Sequence, residues 1–302
     1  MFTRILVPLD GSRSAESALP AATAFARACR ASLALVHVIE KHAPAEVHDE
    51  RHLQSREEAE KYLDSLKVSL EREGVAVTCH VHAGESSSVP AGIALHVKEL
   101  SADFVMMCTH GDYGLRRFLR GSIAQQVAAA DTVPVFFVPP LDGHAPPAFA
   151  CRSILLPLDG SEEHEGAVDV ARFLAGAFKA VVFPVLVIPR SSEVSAGLRA
   201  ISRLLPRATE ELLNMSTGQG KTYLDGIRER LEANGLAVST LLVRGNPEKA
   251  LLRSIAKQKP DLVVLGTHGR SGLNAVFEGS VASKVCSRCG VPIILVPAKK
   301  TA

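Results

Sequence analysis

Two rounds of alternating strand and helix patterns predict an α/β chain: two tandem doubly wound domains, each a five-stranded parallel sheet with helices on both faces. Three observations carry the prediction. Short apolar runs alternate with longer segments of helical period along the chain. A group of motifs near the start recurs 149 residues later, Asp10 answering to Asp159. A length of 302 residues, with 47% hydrophobic and 22% charged content, suffices for about two ordinary cores.

The first half begins with a strand at Ile5–Leu9, an apolar run too short for a helix. A helix at Ser14–Cys29 and a strand at Leu33–Ile39 follow. A polar loop over Lys41–Arg51 leads to a charged helix at Leu53–Glu73. Then come a strand at Val75–Val81, a helix at Val89–Leu100, a strand at Phe104–Cys108, a helix at Ser122–Ala130 and a strand at Val133–Val138. The run Pro139-Pro140-Leu141-Asp142-Gly143-His144-Ala145-Pro146-Pro147 can continue neither kind of element and reads as a linker. The second half repeats the order with a strand at Ile154–Leu158, a helix at Glu163–Phe178 and a strand at Val181–Ile188. After Ser191–Gly220, which gives no clear pattern, come a strand at Ala237–Val243, a helix at Pro247–Lys259, a strand at Leu262–Gly266, a helix at Val281–Cys289 and a strand at Ile293–Val296. The expected division is a first domain at 1–140, a linker at 141–150 and a second domain at 151–302.

The duplication is plain in two pairs of segments. Arg4-Ile5-Leu6-Val7-Pro8-Leu9-Asp10-Gly11-Ser12 answers to Ser153-Ile154-Leu155-Leu156-Pro157-Leu158-Asp159-Gly160-Ser161. Thr109-His110-Gly111 with Gly121-Ser122 answers to Thr267-His268-Gly269 with Gly279-Ser280, now 158 residues apart. The second copy therefore carries nine extra residues in its middle, expected between Pro189 and Gly220.

The apolar strand Leu262-Val263-Val264-Leu265 runs into Gly266-Thr267-His268-Gly269, and nine residues later Gly279 and Ser280 precede a helix. Glycine lets backbone N–H groups approach an oxyanion, and the positive end of a helix dipole favours negative charge. One loop glycine usually supplies only a turn; three with a serine after a buried strand suit phosphate. This Gly-x2-Gly-x9-Gly-Ser spacing resembles the ATP-binding motif of the universal stress protein family. That family's domain is a small α/β nucleotide-binding unit with strand order 3-2-1-4-5, and the resemblance covers nearly the whole chain.

The resemblance implies ATP as ligand, with or without Mg, and a regulatory role in the stress response. It places Pro157, Leu158 and Asp159 at the adenosine end, Val187 against adenine, and Gly266, His268, Gly269, Gly279, Ser280 and Val281 at ribose and phosphates. In the first half the matching positions are Pro8, Leu9, Asp10, Val38, Gly111, Gly121, Ser122 and Ile123. Cys108 departs from the pattern there, standing where the family has its first glycine. A side chain at that point crowds a ligand, whereas Arg116, Arg117 and Arg120 favour polyphosphate, and Glu278 in the second loop opposes it. The resemblance also implies pairing through the last strands, an intrachain pseudo-dimer that can itself form a homodimer.

Taken alone, Asp10 and Asp159 sit where a strand gives way to a helix, so a turn or N-cap aspartate competes with a ligand-facing one. Gly220-Lys221-Thr222 mimics the end of a P-loop, but Met215 stands where that pattern needs glycine. Cys286 and Cys289 form a Cys-x-x-Cys without a second pair to complete a zinc site. His110 and His268 belong to the loop motif and have no evident nucleophile or acid beside them; His80 and His82 alternate on a strand without an identifiable partner.

A formal net charge of +2 argues against general nucleic-acid binding, and no apolar run approaches the roughly 20 residues that span a bilayer. The N-terminal residues enter a strand without a signal-peptide layout, and six scattered cysteines suit reduced thiols, so a cytoplasmic protein is expected. Three functions stay open: an ATP-binding regulatory module, a slow ATPase or phosphoryl-transfer enzyme, and an ATP-independent scaffold with vestigial sites. The enzyme reading needs metal, charge clamps and a base that the sequence does not display.

Overall fold

The computed structural model describes residues 2–39, 46–47, 50–51, 53, 55–82, 88–108, 123–130, 133–139, 148–161, 165–188, 206–267 and 281–298. Its first half holds strands β1 (Arg4–Pro8) and β2 (Ser32–Val38), a short antiparallel pair β3 (Glu46–Val47) and β4 (Glu50–Arg51), then β5 (Val77–His82), β6 (Phe104–Cys108) and β7 (Val135–Val138). Helices α1 (Arg13–Glu16), α2 (Leu19–Cys29), α3 (Arg56–Arg72), α4 (Val89–Glu99) and α5 (Ile123–Ala129) connect them. The second half holds β8 (Ser153–Leu158), β9 (Val181–Ile188), β10 (Leu241–Arg244), β11 (Leu262–Thr267) and β12 (Ile293–Pro297). Its helices are α6 (Glu165–Phe178), α7 (Pro206–Glu232), α8 (Pro247–Gln258) and α9 (Val281–Cys286).

Ten strands form one sheet in the order β10-β9-β8-β11-β12-β7-β6-β1-β2-β5. Counted within each half, this is 3-2-1-4-5 twice, with every pairing inside a half parallel. The halves meet where β7 and β12 pair antiparallel, Phe136 opposite Ile294. Val135–Val138 and Ile293–Val296 are all buried there, so two apolar edges that would otherwise invite foreign strands cover each other.

Helices cover both faces. On one, α2, α3, α6 and α7 share a core with alternate residues of the strands; on the other, α4, α5, α8 and α9 do the same. Two helices of opposite halves meet on the first face, where Phe25 of α2 lies 5.0 Å from Phe178 of α6. No helix among the described residues is long and apolar enough to cross a membrane.

Several sequence expectations need correction. The helix expected over Ser14–Cys29 is two helices, because Pro20 has no N–H to give Glu16 and occupies the first turn of α2. The last helix ends at Cys286 rather than Cys289, ahead of Gly290 at φ +62°. The stretch without a pattern contains the start of α7, a helix of 27 residues against 17 in α3.

Structural equivalence also reveals a missed repeat: Tyr62-Leu63-Asp64 in α3 answers to Tyr223-Leu224-Asp225 in α7, 161 residues apart. Gly220, in that register the counterpart of Ala59, lets α7 settle onto β9. A Cβ added there would stand 2.9 Å from Leu186 Cδ2 and 3.1 Å from Ile188 Cδ1. Gly220→Val is therefore expected to cost about 1–3 kcal/mol through overpacking. Gly226→Ala, with no described atom within 4 Å of the added carbon, should instead stabilise by about 0.5–1 kcal/mol through helix propensity. Urea denaturation of both variants checks the contrast in sign.

Candidate functional site

The candidate site begins with a pairing that stops early. β1 pairs with β6 only at Ile5–Phe104 and Leu6–Val105, although the strands run on to Pro8 and Cys108. β8 pairs with β11 only at Ile154–Leu262 and Leu155–Val263, although they run on to Leu158 and Thr267. Alternate residues of a strand address opposite neighbours: Arg4 O accepts from Asp103 N, whereas Leu9 N donates to Val36 O on the other side. By that alternation Pro8 faces β6, and Pro157, two pairs beyond Ser153 O and its bond from Asp261 N, faces β11. Proline has no hydrogen to donate, so each ladder ends there. The carboxyl ends of the first and fourth strands part at the topological switch point, where open α/β sheets bind ligands.

On one lip of each crevice lies an Asp-Gly-Ser turn. Asp10 Oδ1 accepts from Ser12 N at 2.9 Å and from Ser12 Oγ at 2.6 Å. Asp159 Oδ1 accepts from Ser161 N at 3.0 Å and from Ser161 Oγ at 2.8 Å. Gly11 and Gly160 take φ +93° and +83°, values at which a side chain is strained. The turn role weighed for these aspartates is thus real for one carboxylate oxygen of each. Leu9 and Leu158 are buried just behind, and Leu9 O accepts a hydrogen bond from Nδ1 of the buried His37 at 2.8 Å. His37 carries no motif and reads in sequence as one residue of an apolar strand; its counterpart is Leu186.

On the other lip the halves differ. In the first, Cys108 ends β6 with its side chain buried; burial, then the nearby Asp10 carboxylate, pushes its thiol up to about 12. In the second, Gly266 stands in that place, paired with Val296, and Thr267 Oγ1 donates to Val296 O at 3.2 Å. A Cβ on Gly11 would lie 2.9 Å from Leu53 Cγ; no described atom lies within 4 Å of a Cβ placed on Gly160.

Val38 and Val187 lie near the ends of β2 and β9, Val38 buried and Val187 half-buried. Val281 and Ile123 begin α9 and α5, Val281 half-buried and Ile123 41% exposed. His268, Gly269, Gly279 and Ser280, with Gly111, Gly121 and Ser122, lie outside the described residues, as do Arg116, Arg117, Arg120 and Glu278. The described part of the site is therefore the strand ends, the turns and the last helices, without the loops between.

A further repeated pair stands beside the turns. Tyr62 Oη donates to Glu16 Oε1 at 3.0 Å. Tyr223, the counterpart of Tyr62, has its phenol pushed up by burial and then by Glu165 and Asp159, while Arg230 Nη1 donates to Glu165 Oε1 at 3.1 Å. The Tyr-Leu-Asp repeat was the signal that would have found these tyrosines.

Rival motifs resolve simply. Gly220-Lys221-Thr222 lies inside α7, where Thr222 Oγ1 donates to Gly218 O, and not at a strand-to-helix turn. Cys286 is buried and its thiol is pushed well up by burial; Cys289, also raised by burial, directs Sγ to Val291 O at 3.4 Å. All six cysteines are free, and such protonated thiols are poor nucleophiles. Among the described residues no group of three histidine, cysteine or acidic side chains is placed to hold a metal ion.

The fold and its two crevices define a tandem α/β protein of the doubly wound class. The universal stress protein family matches residues 1–139 and 151–297, and the chain belongs to that family. It is similar to universal stress protein Rv2319c of Mycobacterium tuberculosis, 26% identical over 97% of this chain and 99% of that one. A universal stress protein from Archaeoglobus fulgidus shares the fold over 98% of this chain and 97% of that one, with TM-score 0.67 and 16% identity. A universal stress protein solved in complex with cAMP is 24% identical over 49% of this chain and 97% of that one, with TM-score 0.35.

Proposed function

We propose that this universal stress protein is an ATP-binding regulator whose second half holds the tighter site. The observation that carries the reading is the parted crevice between β8 and β11, with the Asp159 turn on one lip and Gly266 on the other. Such a crevice fits an adenine nucleotide: Val187 offers apolar surface, Leu158 backs the turn from the core, and the glycine-rich sequence from Gly266 to Ser280 offers backbone donors to phosphates. Pro157, Asp159, His268, Gly269, Gly279 and Val281 complete the proposed contact set; Mg, if bound, accompanies the phosphates. When ATP is bound its phosphates supply the negative charge, and this chain's part is to bind and orient it. Pro8, Leu9, Asp10, Val38, Gly111, Gly121, Ser122 and Ile123 form the weaker counterpart, hindered by Cys108 and by Leu53 over Gly11.

The division at 1–140 and 151–302 makes each half one binding unit, and the β7–β12 pairing serves as an intrachain pseudo-dimer contact, leaving homodimer formation to other surfaces. The site is cytoplasmic in this reading and takes no nucleic acid. Occupancy stabilises the folded form by mass action and so reports adenylate level to a protein partner. Turnover should be slow, since one oxygen of Asp159 is already held by Ser161. Nucleotide released from the purified chain by denaturation and identified by mass should be ATP. Recovery of cAMP alone, or of no nucleotide after ATP incubation, would overturn the reading. Rapid multiple-turnover hydrolysis lost in Asp159→Ala would replace it with the enzyme reading.

A further inference from the structure

Outside the crevices, a cluster of titratable side chains lies at the outer edge of the sheet in the first half. His80 and His82 alternate on β5, the edge strand, and so point to one face. Helix α4 lies on that face and places His96 between them. The His82 and His96 ring centroids are 5.1 Å apart at 89°, and those of His80 and His96 are 6.1 Å apart. His96 is 8% exposed, and neither of its ring nitrogens makes a hydrogen bond. Glu99 Oε2 approaches His96 Nδ1 at 3.2 Å, near enough for an ion pair once the ring is charged. Among the described residues no three donors converge on a metal position here.

The second half supplies an internal comparison. By strand register, His80 and His82 pair with Val36 and Val38 of β2; their counterparts pair with Val185 and Val187 of β9 and are Leu241 and Val243. The counterpart of His96, 158 residues on, is the buried Ser254, whose Oγ donates to Ala250 O at 3.0 Å. The same helix-on-edge contact is thus made once with three imidazoles and once with none. We propose that His80, His82 and His96 form a proton-sensitive clasp that holds α4 against the sheet edge while neutral and loosens it when protonated.

The charges around His96 support the direction. From β5 it faces His80 and His82, and from its own helix Glu99. β2 presents Val36 and Val38, and α5 contains no ionisable residue. Arg4 of β1, whose guanidinium donates to Leu100 O at the end of α4, bears on His80. Burial, then His82 and His80, lower the His96 value against an opposing pull from Glu99; burial, then Arg4, lower that of His80. A histidine whose folded value lies below the ordinary 6.5 binds protons more readily when released. Its contribution is intact above 6.5 and is lost as pH falls from there towards the lowered folded value. Release would be felt at the first-half crevice, because a Cβ on Gly92 of α4 would touch Val38 at 3.1 Å and His82 at 3.4 Å. That last consequence rests on the nucleotide reading; the clasp itself does not.

Amide hydrogen exchange of the full chain at pH 7.5 and pH 5.5, corrected for intrinsic rates, tests the clasp without any ligand. Protection in α4 and β5 should fall relative to α8 and β10, by up to about tenfold for each histidine held neutral at pH 5.5, one unit below the ordinary 6.5. His96→Phe keeps a buried ring but removes the central proton site and should shrink the difference between the halves, leaving the share that belongs to His80. Should that variant fail to fold, the combined His80→Leu, His82→Val and His96→Ser transplants the second half's residues and should behave like that half. Equal pH response of α4 and α8 in the wild-type chain, or a difference that survives removal of the histidines, would overturn the proposal.

Discussion

Replacing Phe25 by alanine is expected to destabilise the whole chain by about 3–5 kcal/mol, the usual cost of emptying a phenylalanine site in a packed core. Its ring is fully buried on α2 and has four aromatic neighbours among the described residues: Phe178 at 5.0 Å, Phe136 at 5.1 Å, Phe149 at 5.6 Å and Phe104 at 5.8 Å. Phe104 and Phe136 belong to first-half strands, Phe178 to α6 of the second half. The cavity would therefore open at the joint between halves as well as under the sheet. The ring contacts add about 0.5–1.5 kcal/mol each beyond area burial, which places the expected loss toward the upper end. A second effect follows from position. Chemical denaturation of Phe25→Ala should show a lower midpoint for both halves, because each leans on this ring. A loss of unfolding free energy below about 1 kcal/mol would contradict the packing described.

The fold class was legible because it depends on patterns that one strand or helix carries by itself. Phe104–Cys108 and Val181–Ile188 match their expected spans, since each is an apolar run bounded by turn residues. What failed were elements governed by a competing local rule. Pro20 broke a helix whose apolar period runs through it. Gly218, Gly220 and Gly226 masked α7, whose stability comes from Leu224, Ile227 and Leu231 meeting the sheet rather than from propensity. The strand expected at Ala237–Val243 is reduced to a bridge from Val238 to Val182 followed by β10 at Leu241–Arg244.

The candidate site was half legible. Asp10 and Asp159 stood out by repetition, and their turn function is visible in the bonds to Ser12 and Ser161. The part played by Pro8 and Pro157 could not be read from spacing, because it depends on which neighbouring strand their missing hydrogens face. His37 and His96 were invisible for a similar reason: one meets Leu9 across a strand pair, the other meets His80 and His82 from a helix. Tertiary packing, not sequence separation, made those partners.

The two copies of one unit are proposed to bind nucleotide unequally. A side chain at Cys108 where the second half has Gly266 should weaken ATP binding in the first half by about 1–3 kcal/mol, the cost of overfilling a fitted site. That is roughly 5- to 150-fold in affinity. Arg116, Arg117 and Arg120 would act in the opposite direction, but solvent-exposed ion pairs typically contribute only about 0.2–1 kcal/mol and many contribute nothing measurable. The steric effect should win, the more so with Leu53 over Gly11. Calorimetric titration of ATP into the wild type, Gly279→Val and Cys108→Gly is the direct measurement. The account predicts two unequal sites in the wild type, loss of the tighter one in Gly279→Val, and a strengthened weaker one in Cys108→Gly. A tighter site that survives Gly279→Val but disappears in Gly121→Val would contradict it.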